Sequence, residues 1–127
     1  VKDKKILESA YDDSQGITAK FNLNVLSRIN DELDADFIIS NFSHYSVYNE
    51  NDQRIEMNLK SLTSQSIIIK KSNLSLNLDE GELIHTEYSH KYNPSQIKTL
   101  LCDIGFEIKN MWLDDKKYFS LTLVSKN

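Results

Sequence analysis

The apolar residues of this chain change their period partway along, and that change limits the folds open to it. Up to Leu33 the spacing is helical, and from His44 onward it is mostly that of strands. Thr18 to Leu33 carries Phe21, Val25, Ile29 and Leu33 at intervals of four with Leu26 beside them, which predicts a helix with one face turned to a core. A shorter helix is expected over Lys2 to Ala10, ending at Tyr11. The turn DDSQG follows, with Gly16 to supply a positive φ and Thr18 to cap the next helix.

Beyond the weakly periodic DADFIISNF, short runs broken by Asn, Asp, Ser and Gly read as strands over His44 to Asn49, Arg54 to Leu62, Gln65 to Lys70, Leu74 to Leu78 and Glu82 to Tyr92. Their short connections favour antiparallel pairing. Asn93-Pro94-Ser95 opens a helix through Ile104, with Gly105 as its stop, and Phe106 to Leu113 and Tyr118 to Ser125 close the chain as two strands. The expected class is α+β, mainly antiparallel strands with about three helices.

Several function classes fall away on composition. At 127 residues the chain has the size of one domain, and no apolar run approaches the roughly 18 residues of a membrane helix. A net charge of −4 with scattered lysines gives no electrostatic footprint for nucleic acid. Cys102, the single cysteine, cannot form an intramolecular disulfide or a multi-thiolate zinc site, and its apolar helical setting reads as core packing. No signal peptide accompanies the sequons at Asn41 and Asn73, so a cytoplasmic protein is expected.

The densest collection of chemistry-bearing residues is GELIHTEYSHKY, Gly81 to Tyr92. Strand alternation predicts that His85, Glu87 and Ser89 share one face and that Ile84, Thr86, Tyr88 and His90 share the other. His85-x-Glu87 lacks the downstream P-C-x-x-C of a zinc deaminase. A zinc site from His44, His85 and His90 is disfavoured because the last two are five residues apart and face opposite sides of a regular strand. Ser89 sits in no G-x-S-x-G elbow, and the glycines 16, 81 and 105 are too dispersed to cradle a phosphate. By themselves the residues allow a solvated strand face, with Tyr11 half-buried and Met57 filling a core alongside Ile55 and Leu59. Asn22 and Asn24 are expected to be exposed or capping a loop.

Three segments taken in order, AYDDSQGITAKFNLNVLSRIN at Ala10 to Asn30, RIEMNL at Arg54 to Leu59, and GELIHTEYSHKY, resemble the C-terminal part of the histidine-specific, S-adenosylmethionine-dependent methyltransferases of ergothioneine biosynthesis. The resemblance runs through the trailing GFEIKNMWLDD and YFSLTL. It implies an enzyme that methylates the α-amino group of L-histidine, with S-adenosylmethionine held in a Rossmann-like domain whose glycine-rich turn is expected upstream of Val1. On that basis residues 1–9 end a donor-domain segment, 10–90 form a substrate-recognition region, and 91–127 supply a helix and antiparallel strands returning to the methyltransferase sheet.

The resemblance further implies a pocket for L-histidine and its N-methylated forms built from Tyr11, Met57, Glu87 and Ser89. A carboxylate suits one imidazole N–H, a hydroxyl serves the other ring nitrogen and a thioether lines the ring face. Tyr11 is expected at the carboxylate or amino end of the ligand, and no residue is assigned as a catalytic base. Detached from its donor domain, the chain is expected to be inactive, and to expose apolar surface and an unpaired strand edge that favour self-association. The competing readings are a non-catalytic α+β binding or interaction module, and a methyltransferase for another amino acid or amine.

Overall fold

A computed structural model describes residues 2–126. They fall into two compact units. One spans Lys4–His90, and the other takes the chain from Lys91 onward together with its first few residues.

The first unit begins with α1 (Lys4–Tyr11) and α2 (Ile17–Leu33). The α2 start is fixed by Asp13, whose carboxylate accepts the backbone N–H groups of Ile17 at 3.0 Å and Thr18 at 2.8 Å. These are donors that a helix cannot satisfy internally in its first turn. Asp13 thus does the capping expected of Thr18, which lies inside the helix. Gly16 takes the left-handed conformation, φ 66°, that lets the chain turn back over Asp13.

β1 (Phe42–Asn49), β2 (Arg54–Ser61) and β5 (Leu83–His90) form an antiparallel sheet in the order β1-β2-β5, while β3 (Gln65–Ile69) and β4 (Leu74–Leu78) pair separately as a hairpin between β2 and β5. Ile55, Met57 and Leu59 alternate along the central strand, and all three are buried. One cluster gathers Leu26, Phe37, Phe42, Leu59, Ile67, Ile69 and Leu78. A second gathers Leu7, Tyr48, Ile55 and Met57, with Tyr11 packed against it. The weakly periodic stretch leading into β1 therefore supplies core aromatics, Phe37 and, as the first residue of β1, Phe42, with ring centroids 5.8 Å apart.

Helix α2 does not bury the stripe its sequence suggests. Phe21 is 70% exposed, and Val25 and Leu33 also face outward. The buried seam is Asn22 and Leu26, one turn apart, flanked by the partly buried Leu23 and Ile29. A buried polar residue displaces the apolar register because its amide finds partners on the sheet.

In the second unit, α3 (Pro94–Asp103) starts with a reciprocal cap. The Asn93 side chain accepts the Gln96 N–H, and the Gln96 side chain accepts the Asn93 N–H. β6 (Phe106–Leu113) and β7 (Ser120–Lys126) pair antiparallel. Ile97 and Leu101 of α3 are half-buried, whereas Leu100, Ile104 and Cys102 are exposed. The core role expected of Cys102 is not seen among the described residues, where its side chain is exposed on α3 beside the exposed Leu100 and Ile104.

Candidate functional site

The register of β5 decides which of its polar residues can act together. Ser89 pairs with Ile55, Glu87 with Met57, His85 with Asn58 and Ile84 with Leu59, leaving Thr86 as one extra residue opposite the Met57/Asn58 step. Such a bulge breaks the alternation of faces. Glu87 and Ser89 consequently share the inner face with Met57 and Ile55, as Ile84 does with Leu59. His85 falls on the outer face, so the expected grouping of His85 with Glu87 and Ser89 does not form. The Thr86 hydroxyl stays inside and donates to the Met57 carbonyl at 3.0 Å, pinning the bulge.

On the outer face the His85 ring stacks on Tyr88 at 3.9 Å between centroids, and the Arg54 guanidinium lies 3.7 Å from the centre of the same Tyr88 ring. Arg54 also pairs with Glu56 at 2.8 Å and Asp52 at 3.0 Å. Hydrogen bonds from Arg54, and next from Asn49, hold the Glu56 carboxyl below its ordinary range. His85 is thus taken up in a surface stack. Among the described residues, no group of three or more His, Cys, Asp and Glu is placed to hold a metal ion.

The inner face brings the other candidates together. The Tyr11 hydroxyl, at the end of α1, lies 2.7 Å from the Ser89 hydroxyl. Met57 is 2% exposed and forms part of the apolar cluster against which Tyr11 packs. Glu87 is exposed, and its carboxylate makes no hydrogen bond or ion pair with a described residue. It borders a cavity of about 200 Å³ between β5 and α2, shared with Thr86 and with Phe21, Asn22, Asn24, Val25 and Arg28. The outward side of α2, Phe21 and Val25 included, therefore walls this cavity. Its size suits a side-chain-sized group rather than a nucleotide, since whole drug-sized ligands take roughly 300–1,000 Å³.

A second set of contacts, centred on Asn22 and His44, was not foreseen from the sequence. Asn22 is 4% exposed, and its Nδ2 lies 3.0 Å from the Asn58 carbonyl and 2.9 Å from His44 Nδ1. His44 Nε2 lies 2.7 Å from the Tyr11 carbonyl. The available signal was Asn22 itself, one helical turn before the buried Leu26.

A carboxylate with no partner among the described residues and a tyrosine–serine hydroxyl pair lie on one strand face, and both kinds of group can accept N–H donors. This α+β chain belongs to the histidine-specific, SAM-dependent methyltransferase family, which it matches over residues 1–126. It is 38% identical to histidine N-alpha-methyltransferase of Mycolicibacterium smegmatis over 123 residues, covering 97% of this chain and 38% of that protein. It is 39% identical to histidine N-alpha-methyltransferase of Mycobacterium tuberculosis over 126 residues, covering 99% of this chain and 39% of that protein. The chain thus spans well under half the length of these relatives.

The residues present do not fit the methyl donor that the family name implies. Gly16, Gly81 and Gly105 occupy separate turns, each with positive φ. Every strand pair among the described residues is antiparallel, so they offer no strand-to-helix crossover to receive a nucleoside. Among these residues no helix is long and apolar enough to cross a membrane.

Proposed function

We propose that this chain is the substrate-recognising part of an enzyme that methylates the α-amino group of L-histidine, with S-adenosylmethionine bound by residues outside it. The observation that carries the proposal is the convergence of Tyr11, Glu87 and Ser89 on the inner side of one sheet, in a chain of the histidine-specific family. Glu87 accepts an imidazole N–H, Ser89 serves the other ring nitrogen directly or through water, and Tyr11 reaches the amino-acid end of the ligand. Met57 lies under the ring as a shaped, polarisable floor.

Selectivity follows from the acceptors. An amino acid without ring N–H groups would cover the Glu87 carboxylate without satisfying it, and a polar group left unmet once desolvated costs about 1–3 kcal/mol. Residues 10–90 are assigned to recognition on this reading, and 91–127 to completing the donor domain. In the separated chain, exposed Leu121 and Leu123 of β7 favour self-association, which light scattering across a concentration series would register.

Calorimetry on the enzyme at its full length tests the proposal. L-Histidine and its N-methylated forms are expected to bind, other amino acids to bind poorly, and Glu87→Ala to weaken L-histidine. Unchanged affinity in Glu87→Ala would remove the pocket assignment.

A further inference from the structure

Helix α1 has only 8 residues, too few to hold its place by helical propensity. Its position rests on tertiary ties: buried Leu7, the Glu8 carboxylate accepting the Tyr48 N–H at 3.3 Å, and the bond between the Tyr11 carbonyl and His44 Nε2. The Tyr11 carbonyl belongs to the last turn, where a helix has no internal donors to offer. The same residue extends its side chain to Ser89.

The protonation pattern of His44 follows from its neighbours. A carbonyl can only accept, so the contact with the Asn58 oxygen fixes Nδ2 as the donating end of the Asn22 amide. The other N–H of that amide points at His44 Nδ1, which therefore accepts. The neutral ring then carries its proton on Nε2 and donates it to the Tyr11 carbonyl. A continuous set of bonds runs from β2 through α2 and β1 to the end of α1, and the Tyr11 hydroxyl closes it onto β5.

We propose that His44, held as the Nε2–H tautomer by Asn22, is a positioning residue that sets where the Tyr11 hydroxyl stands in the amino-acid pocket. This role rests on the reading of Tyr11 as a substrate contact. His44 touches the ligand nowhere in this scheme; it acts through the backbone of Tyr11.

Two replacements separate this role from general packing. Glutamine can present its amide nitrogen near the place of Nε2 and keep the donation to Tyr11, whereas asparagine can keep an acceptor for Asn22 but is too short to reach the carbonyl. In the full-length enzyme, calorimetry is expected to show His44→Asn weakening L-histidine about fivefold to tenfold, the scale of one hydrogen bond, with His44→Gln within about twofold of the parent. In a Tyr11→Phe background, His44→Asn is expected to add less than about twofold, because both changes act on one contact. S-adenosylmethionine affinity is expected to stay constant throughout.

Equal losses in His44→Asn and His44→Gln, or a full additional loss in the Tyr11→Phe background, would overturn the proposal while leaving the pocket in place. Parent-like affinity in Tyr11→Phe alone would remove the pocket assignment and this role with it. Nitrogen-15 NMR of the unmodified enzyme gives an independent reading that needs no variant to fold. A pyridine-type Nδ1 and pyrrole-type Nε2 are expected, and the opposite tautomer would overturn the scheme.

Discussion

The hydroxyls of Tyr11 and Ser89 stand 2.7 Å apart although 78 residues separate them in the chain. Either hydroxyl can be the donor in that bond, so its direction can reverse without rearranging the backbone. On the proposed reading, this adaptability would suit a site that meets an imidazole in more than one tautomer.

Because the two hydroxyls share one bond, their removal is expected to be non-additive. Tyr11→Phe and Ser89→Ala should each weaken L-histidine by a few-fold, and the double variant should lose little beyond the larger single effect. A double-mutant cycle read by calorimetry on the full-length enzyme checks this. Strict additivity would mean that the hydroxyls contact the ligand independently.

Glu87 is exposed and has no described partner, so its replacement should affect binding rather than folding. Glu87→Gln keeps the shape and removes the charge. Glutamine can still accept one hydrogen bond, so the loss is the difference between a charged acceptor, worth about 1.5–3 kcal/mol, and a neutral one, worth about 0.5–1.5 kcal/mol, or roughly fivefold to tenfold in affinity for L-histidine. The thermal midpoint should remain that of the parent. A large drop in stability would show that the carboxylate has a structural role.

The strands were legible because Asn, Asp, Ser and Gly punctuate runs with a period of two, and the α+β class followed from them. Helix α2 was legible as a helix but not in its facing. Counting apolar residues selects Phe21, Val25 and Leu33, while the sheet buries Asn22, whose partners lie 22 and 36 residues away. The Thr86 bulge was hidden for a related reason: an extra residue is visible only against the register of its partner strand, so simple alternation assigned His85 to the wrong face. The candidates Tyr11, Met57, Glu87 and Ser89 came from family resemblance, since no local pattern links residues so far apart in the chain.

Met57 belongs to a buried cluster and, on the proposed reading, also floors the amino-acid pocket. At 2% exposure, Met57→Ala is expected to cost about 2–5 kcal/mol through lost contacts and a cavity, whereas Met57→Leu conserves volume and should cost less than about 1.5 kcal/mol. Denaturant unfolding of the two variants checks the ranking. Equal stability of Met57→Ala and the parent would show that this part of the sheet is loosely packed.

Asp13 links the start of α2 to pH. Hydrogen bonds from the Thr18 and Ile17 backbone stabilise its charged form and lower its carboxyl from 3.8 to about 2. A carboxyl depressed on folding contributes stability that is fully present above its unfolded value, near 3.8, and is lost as pH falls towards about 2. Carbon-detected NMR titration should find Asp13 ionised through this window while ordinary aspartates protonate. Asp13→Asn can still accept hydrogen bonds but carries no charge, so its deficit in stability relative to the parent should be greatest above pH 4 and should shrink as the medium is acidified. A deficit that stays constant down to pH 2 would show that the cap depends on hydrogen-bond geometry and not on charge.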